Sequence, residues 1–426
     1  MEENYMEGIK KGADFNFGAK GWRLMILLFC VCMYVVLNGT MYMNMFIPAI
    51  ADSNGWDYAF LLSITTYVGI AGLVVFPFVA QLVIKFGPKP IMVTALLVAS
   101  VGMALLGNVT EMWQYVLAVV LLRFGLMSFL NGSMGAFANN WWPYRKGFAL
   151  GIITIGMHAA DSTMPTAIMK LFATVGPGGA GLVFAGFEVV LAVLFIVWTK
   201  SRPEEQGVFP DNNPVTAEES RRVQDRIANF KSEWTIGRLI KAPWFWQMAL
   251  PTGIMWLATV GIMSQIVPRF NDLGHGDNAI FAISLAGLCG IVGSYIWGWI
   301  DQKWGTKRAI TIFLAYYTVV YLIWALSTSL PWMILAVVMG GFGTGGNANL
   351  CPSITGTVFG RLDFPAVQRI TGLIQDAFFV LAPGIIAFSL MLTGGFQGGY
   401  FVLLGFCLVG CILMATFNDK FRGTRG

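Results

Sequence analysis

Ionisable side chains lie deep inside several long apolar runs of this chain. They are Arg123, His158, Asp161, Glu188 and Asp376. If the runs are membrane-spanning helices, a rise of about 1.5 Å per residue places these side chains roughly 12–21 Å from the nearer end of each helix. A charge at the centre of a bilayer costs at least about 2.5–3.5 kcal/mol unless it is paired or hydrated. Charged residues that remain in these runs despite this energetic cost predict a polar site in the interior of a membrane protein.

Three of these residues form a predicted proton-binding group. His158 and Asp161 are three positions apart, so they share one face of a helix. Histidine changes charge near neutral pH, and a carboxyl group in apolar surroundings holds a proton more tightly than it does in water. We therefore expect His158, Asp161 and Asp376 to bind coupling protons. The alternative is that His158 and Asp161 only hydrogen-bond each other within a packed helix interface.

The composition requires a bilayer around most of the chain. The 426 residues are 56% hydrophobic and 12% charged, with a mean hydropathy of +0.68, which is too apolar for a soluble domain of this length. An apolar run of about 20 helical residues crosses the hydrocarbon core. We identify twelve such runs, at 22–50, 59–84, 90–107, 113–138, 147–171, 180–198, 244–268, 279–300, 308–328, 331–359, 365–392 and 398–417.

The second half of the chain repeats the first about 220 residues later. Residues that recur at offsets of 218–221 include Pro48 with Pro268, Asp57 with Asp277, Gly69 with Gly290, Lys85 with Lys303 and Asn131 with Asn349. The sequence therefore predicts an all-α membrane protein of twelve transmembrane helices in two six-helix bundles, 22–198 and 242–417, with the functional site where they face each other. A polar linker, 199–241, joins the bundles, and segments 1–21 and 418–426 flank them.

The basic residues predict the orientation of the chain. If both termini are cytoplasmic, 24 of the 27 Lys and Arg residues lie in cytoplasmic segments, as loops rich in basic residues do. This bias also accounts for the net charge of +5 without a nucleic-acid partner. The first apolar run is too long for a cleaved signal core, so no signal peptide is predicted.

No enzymatic motif stands out. The chain has no phosphate-binding loop, no HExxH pattern and no nucleophile elbow, and its six cysteines lie within apolar runs as packing residues. We therefore expect no catalytic residue, no cofactor and no metal, and we expect a monomer in a lipid bilayer whose energy comes from a gradient or from exchange. A channel or a membrane-embedded enzyme is the other class considered, and neither explains buried charges in both halves.

One loop resembles a family signature. The stretch Gly298-Trp-Ile-Asp301-Gln-Lys303-Trp-Gly305-Thr-Lys307-Arg308 is similar to the Gly-x-x-x-Asp-(basic)-x-Gly-(basic) motif of the major facilitator superfamily. The resemblance implies a carrier that works by alternating access, with Asp301, Lys307 and Arg308 in a cytoplasmic gate. The first half departs from the motif, because Val83 and Ala80 stand where Asp301 and Gly298 have their repeat positions, so the gate there is expected to be held by a different contact or more weakly.

A narrower resemblance concerns two other stretches. Asn140-Trp-Trp-Pro143-Tyr-Arg145-Lys146-Gly147 and Pro268 with Asp272-Leu-Gly274 look like the oxalate:formate antiporter family, which includes monocarboxylate-type carriers. The oxalate branch uses an Arg and a Lys in its eighth and eleventh spans, where this chain has Ser294 and Asp376. A dianion such as oxalate is therefore not expected as the substrate.

The superfamily resemblance also suggests which side chains line the cavity. Its spans four, five and eleven border the cavity and its sixth span is peripheral, so Glu188 is interpreted as a protonated or locally paired carboxyl. Aromatic residues at cavity depth, including Tyr42, Phe378 and Phe379, are more often packing residues. The predicted substrate-binding residues are Arg123, Tyr34, Tyr67, Asn131, Trp256, Asn349 and Gln375.

The buried charges bear on the substrate. Arg123 is one positive charge against three acids, so the site is net negative unless protons bind. We expect a monocarboxylate that enters with a proton, or a zwitterionic or cationic metabolite, with Arg123 binding a carboxylate. An ion pair of Arg123 with Asp161 is the structural alternative. A larger amphipathic compound, such as a bile-acid-like or drug-like molecule, is the alternative substrate, consistent with 22 methionines.

Overall fold

The computed structural model describes residues 17–212, 225 and 229–423. Most of segment 1–21, residues 213–224 and 226–228 of the linker and the end of the tail lie outside the described residues, as does the side chain of Asn131. The described residues are helical, with no β-strand among them. The all-α class expected from the apolar runs is therefore confirmed.

The described residues of the first half form seven α-helices. They are α1 (Gly18–Val35), α2 (Thr40–Asn54), α3 (Tyr58–Phe86), α4 (Pro88–Gly107), α5 (Met112–Met127), α6 (Met134–Trp141) and α7 (Lys146–Trp198). A 3₁₀ turn, Val36–Asn38, separates α1 from α2, and a π-helical segment, Ser128–Ser133, separates α5 from α6. At Gly176 the backbone of α7 takes a φ of 73°, followed by Pro177, so α7 is two spans.

The second half has a corresponding series. Its helices are α8 (Ile236–Ile240), α9 (Pro243–Met263), α10 (Ile266–Asp272), α11 (Ala279–Trp304), α12 (Thr306–Leu326), α13 (Leu330–Thr393) and α14 (Gln397–Thr416). The long helix α13 is broken at Gly360, where φ is 72°. The predicted seventh span, 244–268, is likewise interrupted between α9 and α10.

The lengths of these helices fit a membrane crossed twelve times. In the described part of the chain, nine helical segments are long and apolar enough to cross, or ten when the bent α3 is included. Both α7, with 53 residues, and α13, with 64, are far longer than one crossing needs and divide at their glycine breaks. The predicted twelve spans are confirmed.

Each half packs around its own apolar core. One large core lies within 239–417, and two neighbouring clusters lie mainly within 17–195. Many large apolar side chains instead point outwards, among them Val74, Val197, Ile280 and Met391. Such an apolar surface suits lipid rather than water. Both ends of the described chain, with the loops that contact them, lie on one face of the protein, which we call the terminal face: Lys20 donates to the Gln206 carbonyl, and the Arg422 amide donates to the Val358 carbonyl.

Candidate functional site

The two halves approach each other closely where α7 packs on α11. A Cβ built on Gly151 would lie 2.9 Å from the backbone oxygen of Ser294 and 3.2 Å from the Cα of Gly298. Glycines on both helices therefore allow the two backbones to touch, as small residues do at helix contacts in membranes. This contact fixes the face of α7 that meets the second half, and His158 lies on that face.

A tyrosine, an aspartate and a histidine form the first polar cluster of the site. The hydroxyl of Tyr42 on α2 donates to Oδ1 of Asp161 at 2.8 Å, and Nδ1 of His158 lies 3.5 Å from Oδ2 of the same carboxyl. His158 and Tyr42 are buried, whereas the Asp161 side chain is 34% exposed. The His158 ring packs against Gly290 of α11. The carboxyl thus links Tyr42 of α2 to His158 of α7.

Arg123 and Asp376 form the second cluster, and they belong to opposite halves. The guanidinium of Arg123 on α5 interacts electrostatically with the carboxyl of Asp376 on the second span of α13. Nε of Arg123 is buried and makes no hydrogen bond within the described part of the chain. The structure thus groups Asp161 with Tyr42 and His158, and Arg123 with Asp376, rather than Arg123 with Asp161 as in the alternative considered above.

Two glycines at equivalent repeat positions have different surroundings. Gly69 on α3 and Gly290 on α11 occupy equivalent repeat positions, as His158 and Asp376 do. A Cβ on Gly290 would lie 2.6 Å from Nδ1 of His158, whereas a Cβ on Gly69 would meet no atom within 4 Å.

Two predicted substrate-binding residues line the second half close to Asp376. Gln375 is buried and donates to the Thr252 hydroxyl of α9 at 3.2 Å. Trp256, one turn further along α9, lies 5.9 Å from Phe379 between ring centroids. Its indole nitrogen is buried and makes no hydrogen bond to any described residue. These residues give the site an apolar aromatic wall next to its charges.

The remaining predicted substrate residues lie in other surroundings. Asn349 is fully buried and donates to the backbone oxygen of Ser294 at 3.2 Å, so it joins α13 to α11 inside the second half. Tyr34 stacks on Phe187 of the sixth span, with ring centroids 5.0 Å apart, and Tyr67 on α3 is 67% exposed. The structure does not bring these three side chains into contact with Arg123.

The predicted gate residue Asp301 forms what we call the polar clasp, together with Lys146 and Ser353. Asp301 is buried, accepts from the Ser353 hydroxyl at 2.6 Å and packs on Gly147 at the start of α7. Lys146 from the other half supplies an opposite charge. Lys307 and Arg308 lie apart from this contact, where they line a surface depression with Asp419. The polar clasp joins the halves at the terminal face.

The equivalent position in the first half is closed mainly by apolar contacts, and Nη1 of Arg369 on α13 donates to Oε1 of Gln81 beside them. Val83, which stands where the repeat would place an acid, packs with Val79, Ile91 and Ala136 of its own half and with Phe364 of α13. Phe364 is only 1% exposed, although its contacts in this cluster come from the other half. We call this set the apolar clasp. The different gate contact expected at Val83 is thus a hydrophobic one.

Sequence reasoning missed Asn38, which explains the position of Glu188. Nδ2 of Asn38 donates to Oε1 of Glu188 at 2.8 Å, and both residues are about 1% exposed. Asn38 ends the 3₁₀ turn that breaks the first span, so a buried amide and a buried acid share one hydrogen bond where the helix is interrupted, while Oδ1 of Asn38 and Oε2 of Glu188 have no hydrogen-bond partner among the described residues. The signal in the sequence is an amide directly before Gly39-Thr40 within an apolar run.

The chain forms two helical bundles of similar design. Charged residues lie between the bundles, and the two clasps close one face. These features are typical of a membrane carrier. The family model of the Major Facilitator Superfamily matches residues 27–385. The chain belongs to this superfamily. This confirms the broader of the two resemblances, and the narrower one is taken up below.

Known relatives and solved structures agree on the fold. The chain is 26% identical over 227 residues to the MFS-type transporter pytF of Aspergillus terreus, a match that covers 51% of this chain and 68% of the relative. It is 22% identical over 303 residues to the multi-drug resistance efflux pump PmrA of Streptococcus pneumoniae, 70% of each chain. Among solved structures, the human organic anion transporter MFSD10 is similar with a TM-score of 0.70 at 13% identity, covering 93% and 100% of the two chains. The E. coli fucose:proton symporter FucP is similar with a TM-score of 0.71 at 11% identity, covering 93% and 98%.

Proposed function

We propose that this protein is a secondary active transporter that moves a small organic solute across the cytoplasmic membrane by alternating access, with protons as the coupling ion. The solute is a monocarboxylate, or a zwitterionic or cationic metabolite. The motifs similar to monocarboxylate-type carriers support the first of these, and the replacement of both basic residues of the oxalate branch argues against a dianion. The protein works as a monomer with both termini in the cytoplasm.

The observation that supports this proposal most directly is the interaction of Arg123 with Asp376 between the two halves. A substrate carboxylate that binds Arg123 competes with the Asp376 carboxyl for the same guanidinium, because both are anions attracted to its positive charge. Asp376 would then keep a negative charge in the membrane interior without its cation. Binding a proton removes that charge and its cost.

This competition links the substrate to the proton. When the substrate carboxylate and the proton are both bound, Arg123 neutralises the carboxylate and the proton neutralises Asp376. The net charge of the loaded site is then the same as that of the empty site. A substrate without a proton leaves an extra negative charge in the site, which disfavours the conformational change. The cluster of Tyr42, Asp161 and His158 offers a second proton-binding site, and it is partly exposed through Asp161.

The proposal is tested by transport into proteoliposomes. In Asp376→Asn the amide resembles the protonated acid, so we expect substrate counterflow to persist and uptake driven by a pH gradient to be lost. Asp277→Asn is the matched control, because Asp277 is an exposed acid in the turn before α11. Accumulation by the Asp376 variant under a proton gradient, with an unaltered pH profile, would refute the coupling role.

A larger amphipathic substrate is the second candidate. It is favoured by the likeness to a multi-drug resistance efflux pump over 70% of the chain and by the aromatic wall of Trp256 and Phe379. A thermal-shift screen separates the candidates, because a ligand that binds only the folded protein raises its melting temperature. Stabilisation by monocarboxylates that disappears in Arg123→Ala supports the first candidate, whereas stabilisation by amphipathic compounds that persists in this variant supports the second.

A further inference from the structure

A buried arginine lies near the face opposite the termini, away from both polar clusters of the candidate site. Arg269 on α10 is 4% exposed, and its Nη2 donates to the backbone oxygen of Ser327 at 2.9 Å. Its guanidinium carbon lies 5.6 Å from the ring centroid of Trp324 on α12 and 5.1 Å from that of Tyr400 on α14. The cation is thus enclosed by the end of α12 and the start of α14.

Four polar atoms around this arginine are buried and unsatisfied. Nε of Arg269, Nε1 of Trp324, Oγ of Ser327 and the hydroxyl of Tyr400 make no hydrogen bond within the described residues. The Tyr400 hydroxyl lies close to the side chains of Arg269 and Trp324, but its geometry towards them is not that of a hydrogen bond. Each unsatisfied buried group costs about 1–3 kcal/mol. All four can donate a hydrogen, and two of them can do nothing else.

The cluster also lacks a negative charge. Within the described chain, no carboxyl oxygen lies within 4.0 Å of the Arg269 guanidinium. Asp272, one turn further along α10, acts on Tyr400 from a distance and is itself exposed. A buried cation surrounded by donors, with its nearest acid in solvent, is complementary to an anion.

We propose that Arg269, Trp324, Ser327 and Tyr400 bind a small monovalent inorganic anion of the size of chloride. A water molecule in the same place accepts only two hydrogen bonds and leaves the charge of Arg269 uncompensated, whereas a halide accepts from all four donors and neutralises the cation. The bound anion would join α10, the outer part of the broken seventh span, to α12 and α14.

Heavy-atom diffraction and thermal stability test this site on the full-length chain. Crystals of the protein grown or soaked in sodium bromide are expected to give an anomalous peak between these four side chains. In solution, the melting temperature is expected to be higher in sodium chloride than in sodium gluconate at equal ionic strength, and the increment should saturate with chloride. Neither measurement depends on a variant that folds.

Variants show which residues the chloride-dependent rise in melting temperature requires. Arg269→Gln should abolish the chloride increment, and Tyr400→Phe, which keeps the ring, should raise the half-saturating chloride concentration roughly fivefold through loss of one hydrogen bond. Arg238→Gln, which changes an exposed arginine paired with Glu233, is the matched control and should keep the full increment. Equal melting temperatures in the two salts, water density without an anomalous peak, or a chloride increment that survives Arg269→Gln would each overturn the proposal.

Discussion

Truncating Phe364 should release the terminal face without unfolding the protein. Phe364 belongs to the second half, yet its neighbours in the apolar clasp are Val79, Val83, Ile91 and Ala136 of the first. Phe364→Ala therefore weakens the contact between the halves more than the core of either. Since Phe364 is 1% exposed in the closed state and would meet water on opening, the closed state should lose about 1.5–3 kcal/mol.

That loss corresponds to a shift of roughly 10–150-fold in the equilibrium between closed and open terminal faces. Lys85 and Lys303 are exposed positions on the terminal face, one in each half. Spin labels at these two positions report the distance between the halves by double electron–electron resonance. We expect a longer distance to gain population in Phe364→Ala.

Phe313→Ala is the matched control for this experiment. Phe313 is fully buried within the core of the second half, where it packs on Trp297 and Tyr317. Its truncation should lower the melting temperature and leave the label distances unchanged. If the two variants give the same distance distribution, the apolar clasp does not hold the terminal face closed.

Three further predictions follow from single side chains. Arg123→Ala should remove substrate binding from a folded protein, because a charge-assisted hydrogen bond of about 1.5–3 kcal/mol is lost; unchanged affinity in a binding assay would contradict this. Asp301→Asn should slow exchange more than it weakens binding, since Asp301 lies in the polar clasp; a sharp fall in affinity with fast exchange would show otherwise. Asp211 in the linker is buried, and desolvation raises its pKa to about 6 although the amides of Tyr144 and Arg145 donate to it. The folded state therefore binds this proton more tightly than the unfolded state, so stability from this group is greatest at low pH and is lost between pH about 4 and about 6, by an amount on the order of 3 kcal/mol. The melting temperature of the wild type minus that of Asp211→Asn should fall as the pH rises through that window and stay constant above it. A difference that does not change with pH would rule out this titration.

The number of spans was readable from the sequence because each apolar run reports a local property. The breaks within spans were not. The run 22–50 is continuous in hydropathy, and its interruption at Val36–Asn38 coincides with a contact between Asn38 and Glu188 of a distant helix. Hydropathy cannot detect such a tertiary contact, although the amide before Gly39 marks where it occurs.

The sequence predicts which residues belong to the site, and this stays a prediction, whereas their partners could not be predicted. Depth in the apolar runs identified Arg123, Asp161 and Asp376, since burying a charge is costly wherever it lies. Which acid faces Arg123 depends on how the two halves dock. Likewise, the repeat showed that Val83 lacks a charge, whereas the replacement of that charge by Phe364 depends on the packing of a helix from the other half.

The two clasps respond differently to temperature. Near room temperature the attraction between apolar groups is almost entirely entropic, and it weakens on cooling. The attraction between the charges of Lys146 and Asp301, which joins the two halves in the polar clasp, does not depend on that driving force. Cooling should therefore loosen the α3–α13 side of the terminal face before the α7–α11 side, so the protein would open asymmetrically in the cold and more symmetrically when warm.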